Sequence, residues 1–500
     1  MGLFITTVSQ ATRHAVYAIE RSNPTSIQAE GTGTVGIVAQ FPWGPDNATI
    51  EPTDASDRLM TIAPPGMDHT GSGYMCVSGK AWPDLRLARV LGSAAAAAVG
   101  ALPNSTPATC VNVNLKFKGV AGNAITHTVK AASDGDANHF DLDVSVVGAS
   151  GSTTDVFKNI NFSGVGADSV VDCSAARLVG SIAKVLTGRP VNGTYASTGG
   201  ADGSITSGRY LGTPGNGDIG LALFEGSPDI DIVFTDDVSN GLRAAVNAGL
   251  LAHQVLMGDR VACLNGDLGQ TPAAARINAA TYQNTGAFYV DCWFKQKDDV
   301  DGTERLVAPA CALATVMANL PPSTSAAWKG QPVRKLLSFI SQLEYARGDS
   351  AGGNTAAGIC TLIKHPKGGH VFEAFVNTAA PASPTKKRGT RTRMGIFIAK
   401  SITNSIDESV DAPNVEIVQN DIIKAIHDFM AGLKNAKDVN PLGLAHVKDW
   451  SFGDFAAANL TSDVDDGRFF IPLDVKTTSG MEQIFLSIQY GENVVVKVAA

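Results

Sequence analysis

The sequence predicts a multidomain chain of α/β and α+β class. A central α/β domain with a mixed or parallel sheet carries an inserted mostly-β module, and a C-terminal α+β domain follows. Three observations predict this. The 500 residues exceed one core, and about 150 residues per domain suggests roughly three. After Gly215-Asn216-Gly217, strand-like and helix-like segments alternate, which favours a parallel sheet. From Pro103 to about Gly200 the chain is instead rich in Ser, Thr, Asn, Asp and Gly, with short alternating strands.

Residues 1–25 hold little that could form a core, only Ala15-Val16-Tyr17-Ala18-Ile19 before the turn-like Ser22-Asn23-Pro24. They read as a frayed end or as an arm that needs another surface. The middle domain takes 26–102 and 201–335. It opens on a strand over Gly31–Phe41 that enters the Pro42-Trp43-Gly44-Pro45 turn, and a helix is expected from Pro83 to Val99. The inserted module, 103–200, has alternating strands at Val111–Phe117 and Phe140–Val144. Then come strand Ile230–Phe234, a helix capped by Ser239 with Leu242, Val246, Leu250, His253 and Met257 on one face, and strand Val261–Leu264. Helix Pro272–Gln283 and strand Ala287–Val290 complete the alternation.

The C-terminal α+β domain is expected over 336–487. Met394, Ile398, Ile402 and Ile406 make one helical stripe. Ile422, Ile423, Ile426, Phe429, Met430 and Leu433 make a second, with Asn420 as its cap. Strands follow at 469–475 and 484–490. Residues 488–500 form a terminal arm in which Val494, Val496 and Val498 alternate as an apolar edge strand, a hazard unless something pairs with it.

Lys and Arg total 39 against 47 acidic residues, a net charge of −8, so no global basic field favours nucleic acid. Charged residues are only 17% and glycines number 52, a composition that suits a surface covered by neighbours. The cysteines, Cys76, Cys110, Cys173, Cys263, Cys292, Cys311 and Cys360, are scattered without zinc-like spacing, and a reducing cytoplasm is the expected place of synthesis. No run of 18 apolar residues exists, so no membrane anchoring is expected.

Catalytic motifs are sparse. Gly31-x-Gly33-x-x-Gly36 has the letters of a dinucleotide fingerprint, but a strand-like Ile37-Val38-Ala39 stands where a helix is required. Gly79-Lys80 lacks the Ser or Thr of a phosphate loop. The most enzyme-like feature is the acidic strand end Asp236-Asp237, with Asn265 and Asp267 after the next strand. Carboxylates so placed can hold magnesium, or simply favour a helix N-terminus and a turn. His365 and His370 bracket a turn, and His253 reads as a packed histidine. The basic run Lys386–Arg393 has no aromatic residues for stacked bases. No catalytic residue, metal site or cofactor is expected.

Several segments in succession resemble the contractile tail sheath proteins of bacteriophages and related injection particles. They are Gly36–Pro45, the glycine-rich Gly199–Gly203 with Tyr210 and Gly212, Arg391–Met394, Asn420-Asp421 leading to Phe429–Leu433, and Gly480–Ile484. Thr324 follows Pro321-Pro322-Ser323 where the family often has glycine, and the arginines near 391 are spaced rather than paired. The resemblance implies a non-enzymatic virion subunit, assembled in the host cytoplasm. It would stack with itself as hexameric rings around a tail tube protein, between baseplate and terminator proteins. The terminal arms would exchange strands between subunits, through Val16, Tyr17 and Ile19 at one end and Val494, Val496 and Val498 at the other. Lys424, Lys434 and Lys437 are candidate cations facing the tube, and any of the seven cysteines could crosslink neighbours once particles leave a reducing cell. A capsid-like or adhesive virion surface protein is the alternative, and a metal-dependent α/β enzyme using Asp236, Asp237 and Asp267 a more distant one.

Overall fold

A computed structural model describes residues 4–5, 18–19, 27, 29, 31–52, 55–161, 171–186, 188–236, 239–344, 353–379, 388–406, 416–435, 446–459, 469–477, 486–487 and 497–498. The chain divides into two compact units, residues 31–392 and residues 1–30 with 393–500.

The larger unit is built on a seven-stranded sheet. Its strand order is His370–Phe372, Ile359–Lys364, Ala287–Asp291, Val261–Asn265, Ile232–Thr235, Thr34–Ala39 and Asp84–Arg89. Every neighbouring pair is parallel except the first, so the sheet is mixed with a parallel body. The strands Ile232–Thr235, Val261–Asn265 and Ala287–Asp291 are buried at every position, as strands of a parallel sheet covered on both faces should be. Helix Asn240–Met257 adds Val246 and Leu250 to a cluster with Val38, Val233, Ala262, Leu264 and Tyr289. Helix Pro309–Ala318 lies across the same strands with all ten residues buried.

A helix with no exposed side must find partners for its first N–H groups inside the protein. Asn265, at the end of its strand, supplies one. Its Oδ1 accepts from the Ala310 N–H at 2.8 Å, while its Nδ2 donates to the Thr235 carbonyl at 2.7 Å. Arg89 does similar work for the Pro/Gly turn: its guanidinium donates to the carbonyls of Phe41, Pro42 and Gly44 at 2.7–2.8 Å. Burial pushes Arg89 down to about 10, against the nearby Asp202 and Asp46 carboxylates.

The inserted module is a second seven-stranded sheet, antiparallel throughout, in the order Val179–Lys184, Thr109–Lys118, Ala97–Pro103, Gly193–Thr198, Thr126–Ala131, His139–Gly148 and Gly151–Asn161. Trp43 from the turn joins its core, edge-on to Phe117 at 5.4 Å. A small antiparallel sheet of Glu304–Val307, Phe294–Lys297 and Ile340–Leu343 completes the unit.

Three expectations need correction. The helix expected over Pro83–Val99 is two strands, Asp84–Arg89 and Ala97–Pro103, because each finds a ladder partner that overrides the helical bias of its alanines. Residues 359–372 belong to the central sheet, so the C-terminal unit starts at Arg393 and not at 336. Asn420 is no cap, since its helix runs from Glu416 to Asn435.

In the smaller unit, Met394 and Ile398 of helix Gly389–Ile406 pack on Ile426, Met430 and Leu433 of helix Glu416–Asn435. Val447 and Ile27 close the same core, beside the antiparallel pair Val447–Phe452 and Leu473–Thr477.

Two buried histidines of the larger unit make stability depend on pH. His127 donates to or accepts from Ser197 Oγ at 2.6 Å and fits only because Gly100 lies beneath it, where a Cβ would sit 2.2 Å from Nε2. Burial holds His127 down at about 4, and burial beside Arg260 does the same to His253. The unfolded chain binds a proton below about pH 6.5 and the folded chain does not until about pH 4. Stability is therefore full above 6.5 and falls as pH drops to 4, by up to about 3 kcal/mol per site. Urea unfolding of His127→Gln should show a shallower loss over that window; an unchanged slope would contradict this assignment.

Candidate functional site

The residues singled out as assembly elements lie in the smaller unit. Its hydrophobic stripe is set by spacing: Ile422, Ile426, Phe429, Met430 and Leu433 recur every three or four residues and turn one face of helix 416–435 inward. The opposite face carries Lys424, His427, Asp428 and Lys434, all exposed. It is mixed rather than purely basic. His427 Nδ1 lies 3.2 Å from its neighbour Asp428 and its ring stands edge-on to Trp450 at 5.0 Å. Lys434 pairs with Asp449 at 3.0 Å, and its hydrogen bond, with that of the Trp450 backbone, holds the carboxyl below the usual range. Both partners are exposed, so the pair adds little stability and can be exchanged for another partner. Lys437 lies outside the described residues.

Both chain ends contain minimal ribbons. Phe4–Ile5 pairs in parallel with Ala18–Ile19, placing Ile19 opposite Ile5. Leu486–Ser487 pairs antiparallel with Lys497–Val498, placing Val498 opposite Leu486. Among the described residues neither ribbon has a third strand. A two-stranded ribbon is marginal in water and offers ladder edges on both sides. Val16, Tyr17, Val494 and Val496 fall outside the described residues.

The acidic strand end is structural. Asp236 is buried and accepts from Ser72 Oγ at 2.5 Å. Asp267 stands 3.5 Å from Arg243 Nη1 and accepts from Asn278 Nδ2 at 3.3 Å. Asn265 is committed to Ala310 and Thr235, and Asp237 lies outside the described residues. In Gly31-x-Gly33-x-x-Gly36 the last two glycines serve packing: a Cβ at Gly33 would lie 2.9 Å from the Ala318 carbonyl oxygen, and one at Gly36, inside strand Thr34–Ala39, would meet the Phe224 ring at 2.9 Å. Lys80 donates to the carbonyls of Met75 and Ser78 and to Gln296 Oε1. His365 opens the turn that joins strands Ile359–Lys364 and His370–Phe372. No helix among the described residues is long and apolar enough to cross a membrane.

The seven cysteines correct the crosslinking expectation. All are free and all are buried within the chain, so none presents a surface thiol to a neighbour. Burial raises the thiols of Cys110 and Cys173 and pushes Cys360 up to about 12, which keeps them protonated and unreactive. A thiol reagent should therefore label none of the native chain rapidly and all seven after denaturation. Fast labelling of any cysteine in the folded chain would contradict the burial described.

No protein-family model matches the sequence, and no curated protein matches it. Solved structures do. The sheath tail protein of Desulfitobacterium hafniense superposes with a TM-score of 0.60 at 16% identity, over 88% of this chain and 93% of that one. The sheath tail protein of Listeria innocua gives 0.57 at 15%, over 91% and 97%. The helical sheath of the anti-feeding prophage in its contracted state gives 0.54 at 11%, over 98% and 100%. The chain has the fold of contractile sheath proteins, and the resemblance carried by its sequence segments is borne out by that fold.

Proposed function

We propose that this chain is the sheath subunit of a contractile tail or injection particle. The observation that carries the reading is the extent of the shared fold: 98% of this chain aligns with the contracted anti-feeding prophage sheath. The two end ribbons support it physically. Backbone pairing to a strand from the next subunit completes each sheet and buries ladder groups that would otherwise face water. Such pairing survives a change of angle between subunits better than side-chain packing does, so the arms act as hinges that keep the lattice connected. In this reading the subunits stack as hexameric rings around a tail tube, between a baseplate and a terminator. Contraction moves the lattice from a metastable to a more stable arrangement, and a modest gain per subunit multiplies over many copies. No nucleotide is required.

The test is assembly of the purified chain with and without its ends. A deletion of residues 1–26 and 478–500 spares Ile27, which is buried in the core of the smaller unit, and strand Leu473–Thr477. The full chain should form tubes or stacked rings by negative-stain microscopy, and the truncated chain should remain monomeric with an unchanged melting profile of the larger unit. Tubes from the truncated chain would refute the strand-addition mechanism. Closed shells from the full chain would refute the sheath reading in favour of a capsid-like one.

A further inference from the structure

One cluster in the larger unit is explained neither by packing nor by assembly. His69 precedes helix Ser72–Val77, while Asp298, Asp301 and Arg305 belong to the hairpin of strands Phe294–Lys297 and Glu304–Val307. His69 is 6% exposed, and neither ring nitrogen makes a hydrogen bond. Its ring stands edge-on to Tyr74 at 5.9 Å. Nε2 lies 3.5 Å from Asp298 Oδ2 and 3.9 Å from Asp301 Oδ2.

These separations are too long for charge-assisted hydrogen bonds, which run about 2.7–2.9 Å. They are close to the ~3.4 Å edge expected between ligands of a tetrahedral ion with bonds of about 2.1 Å. The carboxylates are held for such a role. Asp298 Oδ1 accepts from Val300 N at 2.9 Å and Asp301 Oδ1 from Thr303 N at 2.8 Å, which leaves each Oδ2 turned toward His69. Arg305 donates to both Oδ2 atoms, through Nε at 2.8 Å and Nη2 at 2.5 Å, and fixes their spacing. Two carboxylates against one guanidinium leave an excess negative charge beside a buried, unpartnered imidazole.

We infer that His69, Asp298 and Asp301 form a binding site for one divalent ion of the zinc class. One imidazole with two carboxylates suits zinc or a neighbouring transition ion better than magnesium or calcium, which take oxygen ligands alone. Arg305 is a positioning residue that orients the ligating carboxylates, as hydrogen-bonded partners of metal ligands generally do. The Asp301 side chain is 31% exposed, so the fourth position opens toward water and ions can enter from that side. The bound ion would fasten the segment before helix 72–77 to the hairpin.

The test uses the full chain, stripped with a chelator and titrated with zinc chloride by calorimetry against a competing indicator dye. One ion per chain and a higher melting temperature in zinc are expected. His69→Gln and Asp301→Asn should each bind at least ~100-fold more weakly with unchanged circular dichroism. Cobalt(II) should give the visible bands of a four-coordinate site, lost in His69→Gln. No uptake by the wild type, or equal uptake by His69→Gln, overturns the proposal. So does an NMR titration that finds His69 as an imidazolium between the carboxylates in zinc-saturated buffer, because a proton would then be the occupant.

Discussion

Every buried backbone N–H and C=O must find a partner, and this constraint organises both units. In the larger unit it is met internally. The parallel ladder joins six strands, Asn265 gives the wholly buried 309–318 helix its missing acceptor, and Arg89 gathers three carbonyls of a turn that no strand could satisfy. These polar groups sit at the positions where a sequence scan finds chemistry. Their chemistry is hydrogen-bond satisfaction, which is why the strand-end acids carry no catalytic geometry among the described residues.

The smaller unit meets the same constraint with less. Helices Gly389–Ile406 and Glu416–Asn435 and one strand pair enclose a core, but among the described residues the chain ends contribute only two-residue ribbons. Ladder groups at such edges are satisfied by water or by another strand. In the proposed assembly the second option is taken between copies, so the least self-sufficient part of the chain becomes the part that joins subunits. In that proposal the larger unit closes its backbone ladders within itself, and the smaller unit completes its ribbons on neighbouring copies.

Much of this was legible in the sequence. The alternation of strand-like and helix-like segments after Gly217 identified the parallel body, and period-two alternation with turn residues identified the inserted module. The stripes of Met394–Ile406 and Ile422–Leu433 named the helices of the terminal core. The segment at 83–99 misled because alanine favours helix only when no ladder competes, and Leu85, Leu87 and Ala88 have the strand Thr34–Ala39 beside them. The strand Ile359–Lys364 was missed because its first four residues are all buried, which leaves no period-two alternation to mark it. The His69 cluster was invisible because His69 stands far along the chain from the hairpin that holds Asp298 and Asp301, and only the fold brings them together.

The central claim is that the terminal ribbons are completed by neighbouring copies. Cryo-electron microscopy of assembled tubes, at a resolution that traces each chain, tests it most directly. The account requires the segments around 4–19 and 486–498 to lie in sheets whose strands come from more than one subunit. Tubes in which both ribbons pair only within their own chain, and subunits meet through side chains alone, would contradict it.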